Sequence, residues 1–234
     1  MFKKLLSLFI SAKNPVKKKS AQAASNPSAP KTRPKVKSTR IGELGEHKIN
    51  IQLDQLPQGC KYLSDLLLTN PKARSGYSQI DHVVITPLGM FVIETKNYNG
   101  EIKGSRKEKN WRVSNRFDMY NPFMQNYGHI QAVKGHLGGF EGIRAISIVS
   151  FTMRCRFSVN PELRQINSDE LIVYDVELSE YIQRKLNRLQ AQHEGEGPGY
   201  SESDIQSIYD VLKKANITYP AVRALHIKHA KTAK

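Results

Sequence analysis

Between Ser78 and Tyr98 the chain reads SQIDHVVITPLGMFVIETKNY, two apolar, β-branched runs separated by Pro87, Leu88 and Gly89. This pattern predicts a hairpin with strands over 78–86 and 90–98. Because side chains alternate along a strand, Asp81, Val83 and Ile85 are expected on one face, and Met90, Val92, Glu94 and Lys96 together on theirs. If Thr86 opposes Gly89 across the turn, Asp81 falls opposite Glu94. A one-residue bulge at Gly89 would slip this register and send Asp81 to the other side.

Two carboxylates facing each other in an apolar hairpin repel, and at least one resists ionisation unless a cation is supplied. A hard divalent ion resolves the conflict. Mg²⁺ takes oxygen ligands, typically one or two carboxylates from protein with water and phosphate completing the shell. Lys96, two residues from Glu94 and on its side, is placed to stabilise developing charge or orient an attacking water. The competing reading is a buried salt bridge between Lys96 and the two acids. E-x-K alone is too common to decide between them.

Around the hairpin the pattern alternates helix and strand, which gives an α/β chain. IGELGEHKINIQL (41–53) reads as a helix with Ile41, Leu44, Ile49 and Leu53 inward and Glu43 and Glu46 on neighbouring turns. Strands are expected at 62–68, 144–152 and 170–174, with a short strand pair within 100–111. Asn121 followed by Pro122 opens a helix through NPFMQNYGHIQAVKGHL. Helices over 176–189 and 201–216 follow, divided by EGEGPG, and the terminal RALHIKHAKTAK reads as a frayed basic end. The expected organisation is a tail over 1–39, a core domain over 40–155, and a helical C-terminal extension over 156–234 packed on that core.

The net charge of +15 suggests nucleic acid until it is divided along the chain. Residues 1–40 hold eleven Lys and Arg and no acid, leaving 25 basic against 21 acidic side chains elsewhere. Most of the basicity therefore belongs to a Lys-, Ser-, Ala- and Pro-rich tail whose composition predicts disorder. Phe2, Leu5, Leu6 and Phe9 recur at helical spacing beside Lys3 and Lys4, which with Lys17 to Lys19 describes a membrane-surface helix over residues 1–20; a soluble tail is the plainer reading. Leu5 to Ile10 is far short of the roughly 20 residues a spanning helix needs. Two cysteines, Cys60 and Cys155, without CxxC spacing, support neither a zinc site nor a disulfide framework, and a reducing, cytoplasmic setting fits them.

The run GELGE, then SQIDHVVITPLGMFVIETKNYNGEIKG, Trp111 and NPFMQNYGHI, in that order over about 40–155, resembles the nuclease-related domain (NERD), a branch of the PD-(D/E)xK nuclease-like superfamily. The resemblance implies a restriction-endonuclease-like core with a central mixed β-sheet flanked by helices, Asp81 and Glu94 as ligands of Mg²⁺ (with Mn²⁺ as a substitute), Lys96 as catalytic lysine, and Glu46 completing the acidic cluster. Gln125 matches the polar position in the helix after the sheet that positions site or substrate; its bland role is a surface amide. Ile80 stands where the superfamily name has proline, which removes no ligand.

The expected activity is metal-assisted hydrolysis of phosphodiester bonds in nucleic acid, DNA before RNA, with the lysine tail adding sequence-independent attraction to phosphate. The alternative is a catalytically silent module that keeps the fold to bind nucleic acid or a protein partner, with the tail meeting an anionic membrane surface. Among minor candidates, Glu43 reads as a helix-dipole partner, His82 as a packed core histidine, His129 as a surface imidazole, and Trp111 and Tyr98 as core or sheet-edge aromatics in preference to base-stacking platforms.

Overall fold

The computed structural model describes residues 47–140, 142–193 and 199–232. Strands β1 (Lys61–Thr69), β2 (Tyr77–Thr86) and β3 (Gly89–Lys96) form an antiparallel meander. Thr86 stands opposite Gly89, so the turn has the register on which the Asp81–Glu94 pairing depends. The Thr86 hydroxyl donates to the Gly89 carbonyl at 2.7 Å and accepts from the Leu88 amide. At φ +137°, Gly89 also approaches Arg144 so closely that a Cβ would lie 2.7 Å from its carbonyl oxygen. Only glycine fits.

Strands β7 (Ala145–Phe151) and β9 (Glu170–Tyr174) extend this sheet in parallel from β3, in the order β1-β2-β3-β7-β9. The sheet is mixed, as the family resemblance implied. On one face, Val84, Phe91, Ile93, Ile146 and Ile148 pack against Ile49 and Leu53 of helix α1 (47–53) and Ile182 and Leu186 of α3 (Leu178–His193). On the other, Leu66, Ile80, Val83 and Val92 meet Ile130 and Val133 of α2 (Pro122–Lys134) and Ile205, Ile208 and Leu212 of α4 (Glu202–Ala215).

Several expectations need correction. The hairpin strand ends at Lys96, not Tyr98. The strand pair expected within 100–111 is part of a second sheet, ordered β6-β5-β4-β8, from β4 (Gly100–Gly104), β5 (Asn110–Val113), β6 (Phe117–Tyr120) and β8 (Cys155–Val159). FDMY and CRFSV, at 4 and 5 residues, are too short to announce strands by their own period. They are ordered by pairing and by Trp111, whose ring occupies the space a Cβ on Gly104 would need. The C-terminal segment is no frayed end but helix α5 (Pro220–Thr232), opened by proline in its first turn.

The strict alternation expected for β2 also fails, at Asp81 itself. Ile80 packs in the same cluster as Val83 and Ile85, although an odd number of residues separates them. Across the ladder, Asp65 has φ +52°, between the Ser64–His82 and Leu66–Ile80 pairs. The two strands thus rotate together at Asp65 and Asp81. The tail, Glu43 and Glu46 lie outside the described residues. Cys60 and Cys155 are free thiols, and burial pushes Cys155 up to about 11.

Candidate active site

The carboxyl ends of the parallel strands β3, β7 and β9 converge on one edge of the sheet, the place where α/β folds expose unpaired backbone and converging side chains. Asp81, Glu94 and Lys96 stand there with Thr152 and Asp175 around a cavity of about 190 Å³. A second, wider groove of about 460 Å³ opens on the α2 side and shares Asp81 and Glu94 with the first.

Each side chain is held by its own local cause. Asp81, at the rotated step of β2, accepts from the Thr95 amide at 2.7 Å and the Thr95 hydroxyl at 2.6 Å, both through Oδ2. Since Thr95 alternates with Glu94 along β3, the Asp81 carboxylate reaches round the strand end and does not lie flat on the Glu94 face. Glu94 is 4% exposed and points under α2. Its Oε1 accepts from Lys96 Nζ at 2.5 Å and from Gln125 Nε2 at 2.8 Å, while Lys96 also donates to Gln125 Oε1 at 2.9 Å. The Gln125 amide is therefore locked, oxygen to the ammonium and nitrogen to the carboxylate. It is no free surface amide.

Helix α2 is fixed over the site at two buried asparagines. Asn121 caps the helix by accepting from the Phe123 amide at 2.9 Å, and its amide donates to the Ser105, Arg106 and Glu108 carbonyls. Asn126 donates to the Val92 carbonyl and the Ser147 hydroxyl, each at 2.8 Å, which pins the helix directly above β3 and β7.

The electrostatics are those of crowded acids with one cation. Burial and the neighbouring Glu94 push the Asp81 carboxyl up to about 7, against the pull of Thr95 and Lys96. For Glu94 burial works upward too, but the Lys96 ammonium and His129 outweigh it and hold the carboxyl down at about 2. Lys96 is held above its ordinary value because Glu94 overcomes its own desolvation. His129 Nδ1 stands 3.3 Å from Glu94 Oε2, short of hydrogen-bond geometry, so both buried atoms lack a hydrogen bond. The expectation of a surface imidazole at His129 is corrected: α2 turns it inward.

Among the described residues no three His, Cys, Asp or Glu converge as a ready metal cluster. The donors present nonetheless suit a hard cation. Asp81 is costly to ionise beside Glu94, both Thr95 donors engage only its Oδ2, and Glu94 Oε2 is a buried oxygen that meets His129 Nδ1 at 3.3 Å without a hydrogen bond. A divalent ion at this edge would relieve all three with two protein carboxylates.

Residues the sequence did not single out also reach the site. Asp175 follows β9 and lines the smaller cavity. His226 of α5 lines the wider one. Asn126 and His129 carried a legible signal, because they interrupt the apolar stripe Phe123, Ile130, Val133 at helical spacing. Asp175 and His226 carried none, since only the folded chain brings them near the hairpin.

Residues 41–152 match the nuclease-related domain family. An uncharacterized protein of Bacillus anthracis is 30% identical over 204 residues, which cover 82% of this chain and 86% of that protein. Among solved structures, SfsA of Pyrococcus furiosus aligns over 65% of this chain and 54% of its own, at 17% identity and a TM-score of 0.25, too slight a likeness to build on. The family match over residues 41–152 and the relative matched along most of both chains place this protein in the nuclease-related domain family.

Proposed function

We propose that this protein hydrolyses phosphodiester bonds in nucleic acid, DNA in the first instance, at the sheet edge formed by Asp81, Glu94, Lys96 and Gln125. The observation that carries the reading is the Asp81–Glu94 pair: a half-buried Asp81 carboxyl pushed up to about 7 by desolvation and by Glu94, beside a buried Glu94 whose Oε2 has no hydrogen bond. Asp81 and Glu94 would hold Mg²⁺ or Mn²⁺, joined by Glu46 if the family pattern applies. The bound ion would supply Lewis-acid polarisation of a phosphate oxygen and charge neutralisation.

The chain's own groups divide the remaining work. Lys96 spends two of its three N–H donors on Glu94 and Gln125, which fixes the ammonium and leaves the third for a water or phosphate oxygen in the cavity. Gln125 positions both of its neighbours. Thr95 holds Asp81 by two hydrogen bonds and so orients its remaining oxygen. Labelled single-stranded and duplex DNA incubated with the protein in Mg²⁺, Mn²⁺ or EDTA, beside Glu94→Ala, tests the reading. Cleavage that requires metal and falls at least a hundred-fold in Glu94→Ala supports it, and cleavage unaffected by that substitution sinks it.

One observation favours a second reading, a nuclease fold retained for binding alone. Lys96 neutralises Glu94 at 2.5 Å, so the pair satisfies itself within the protein. That reading expects salt-sensitive DNA binding with no metal-dependent product on any substrate. The tail's role at DNA or at an anionic membrane belongs to residues outside those described; among the described residues no helix is long and apolar enough to cross a membrane.

A further inference from the structure

The wider groove is bounded on one side by β2 and α2, with Tyr77, Asp81, Gln125 and His129, and on the other by His226 from α5. Helix α5 is held in this position by polar contacts more than by a buried apolar face. Leu225 and Ile227 are 49% and 45% exposed. Arg223 instead forks onto Asp65, with Nη1 2.7 Å from Oδ2 and Nη2 2.7 Å from the Asp65 carbonyl, and its Nε donates to the Ile217 carbonyl. Asp65 is the left-handed residue facing Asp81 across the β1–β2 ladder, and its other oxygen accepts from Gln79 at 2.9 Å. The linker before α5 is tied to the β1 edge, with Asn216 accepting from the Leu67 amide and the Ile217 amide donating to the Leu67 carbonyl. His226 completes the latch, its Nδ1 3.0 Å from the Ser75 hydroxyl and its ring edge-on to Tyr77.

We infer that α5 is one wall of the substrate groove and that His226 binds the phosphodiester backbone of a nucleic-acid strand flanking the scissile bond, with Arg223 and Asp65 as the latch that holds the wall beside Asp81. Charge points to a polyanion. Residues 217–234 contain Arg223, Lys228, Lys231, Lys234 and two histidines and no acid, and away from Asp81 and Glu94 the groove is lined by the neutral Ser78, Gln79 and Gln125. A strand leaving the catalytic edge along this groove meets neutral donors below and a basic helix beside it. The inference rests on the nuclease reading for the position of the scissile bond, although binding along the groove is measurable without turnover.

The test uses the full chain and fluorescently labelled single-stranded and duplex oligonucleotides at low ionic strength. Binding is read in EDTA, and kcat and KM in Mg²⁺, for wild type, His226→Ala, His226→Gln and Arg223→Ala. Loss of one hydrogen bond to a charged phosphate predicts roughly ten-fold weaker binding for His226→Ala, with KM raised about as much and kcat kept. His226→Gln, which still offers an N–H, restores most of the affinity, and Arg223→Ala moves in the same direction as His226→Ala. Wild-type affinity and KM in both alanine variants overturn the inference, as does a fall in kcat at constant KM in His226→Ala. If wild type cleaves nothing but His226→Ala still weakens oligonucleotide binding, the nuclease reading fails and the groove stands. If wild type binds neither oligonucleotide, the groove inference falls.

Discussion

At the scale of single residues, the two faces of the β2 end carry opposite proton linkages. His82 is buried with Nε2 3.0 Å from Asn50 Oδ1 and Nδ1 without a partner, and desolvation pulls its imidazole down to about 4. An unfolded histidine titrates near 6.5, so below that pH the unfolded chain binds the extra proton and native stability falls as pH drops from about 6.5 to about 4. The limit is about 3 kcal/mol from this one group. Urea denaturation at pH 7.5 and 5 is expected to show that loss in wild type and not in His82→Gln. Asp81 works the other way. Its folded value of about 7 lies above the ordinary carboxylate value of 3.8, so the metal-free native state holds a proton that the unfolded chain has released, and stability falls as pH rises through that window. Asp81→Asn keeps acceptance from Thr95 without the charge. In EDTA at pH 8 it is expected to be more stable than wild type by on the order of 2 kcal/mol, with the gain gone by pH 4. An unchanged or lower urea midpoint at pH 8 would contradict this account of the site.

At the scale of elements, polar anchors decide where the helices sit. A stripe of Phe123, Ile130 and Val133 would let α2 slide along the sheet; Asn121 and Asn126 prevent it and so set the height of Gln125 and His129 over Glu94. Helix α3 has a comparable anchor. Lys185 is 1% exposed, and its ammonium donates to the Ile166, Asn167 and Ser168 carbonyls and pairs with Asp169 at 2.8 Å, closing the loop that leads into β9. Lys185→Met fills the volume but abandons these acceptors. It is expected to cost about 2–4 kcal/mol in urea denaturation while leaving cleavage per folded molecule unchanged. A lysine inside an otherwise amphipathic helix reads as solvated from sequence, because the carbonyls that hold it lie some 17 to 19 residues away.

At the scale of the molecule, the candidate active-site edge depends on chain far from the hairpin. The family match ends at residue 152, yet β9 forms the outer parallel strand and α3 and α4 cover the two faces of the sheet. Ile208 of α4 is fully buried against that sheet, so Ile208→Ala is expected to cost about 2–4 kcal/mol through its cavity, read as a lowered urea midpoint.

What the sequence determined by itself was local. The two apolar runs, the Pro-Leu-Gly reversal and the Asn-Pro helix start follow from period and turn chemistry, which act over a few residues. They were enough to give the Thr86–Gly89 register and to bring Asp81, Glu94 and Lys96 to one end of the hairpin. The tertiary structure alone decided that β2 rotates at Asp81, because that rotation is shared with Asp65 on another strand and secured by Arg223 from the far end of the chain. It alone turned His129 inward, drew FDMY and CRFSV into a second sheet, and brought Asp175 and His226 to the cavities. Each of these depends on contacts between segments many residues apart, and such contacts leave no period, propensity or turn residue in the local sequence to mark them.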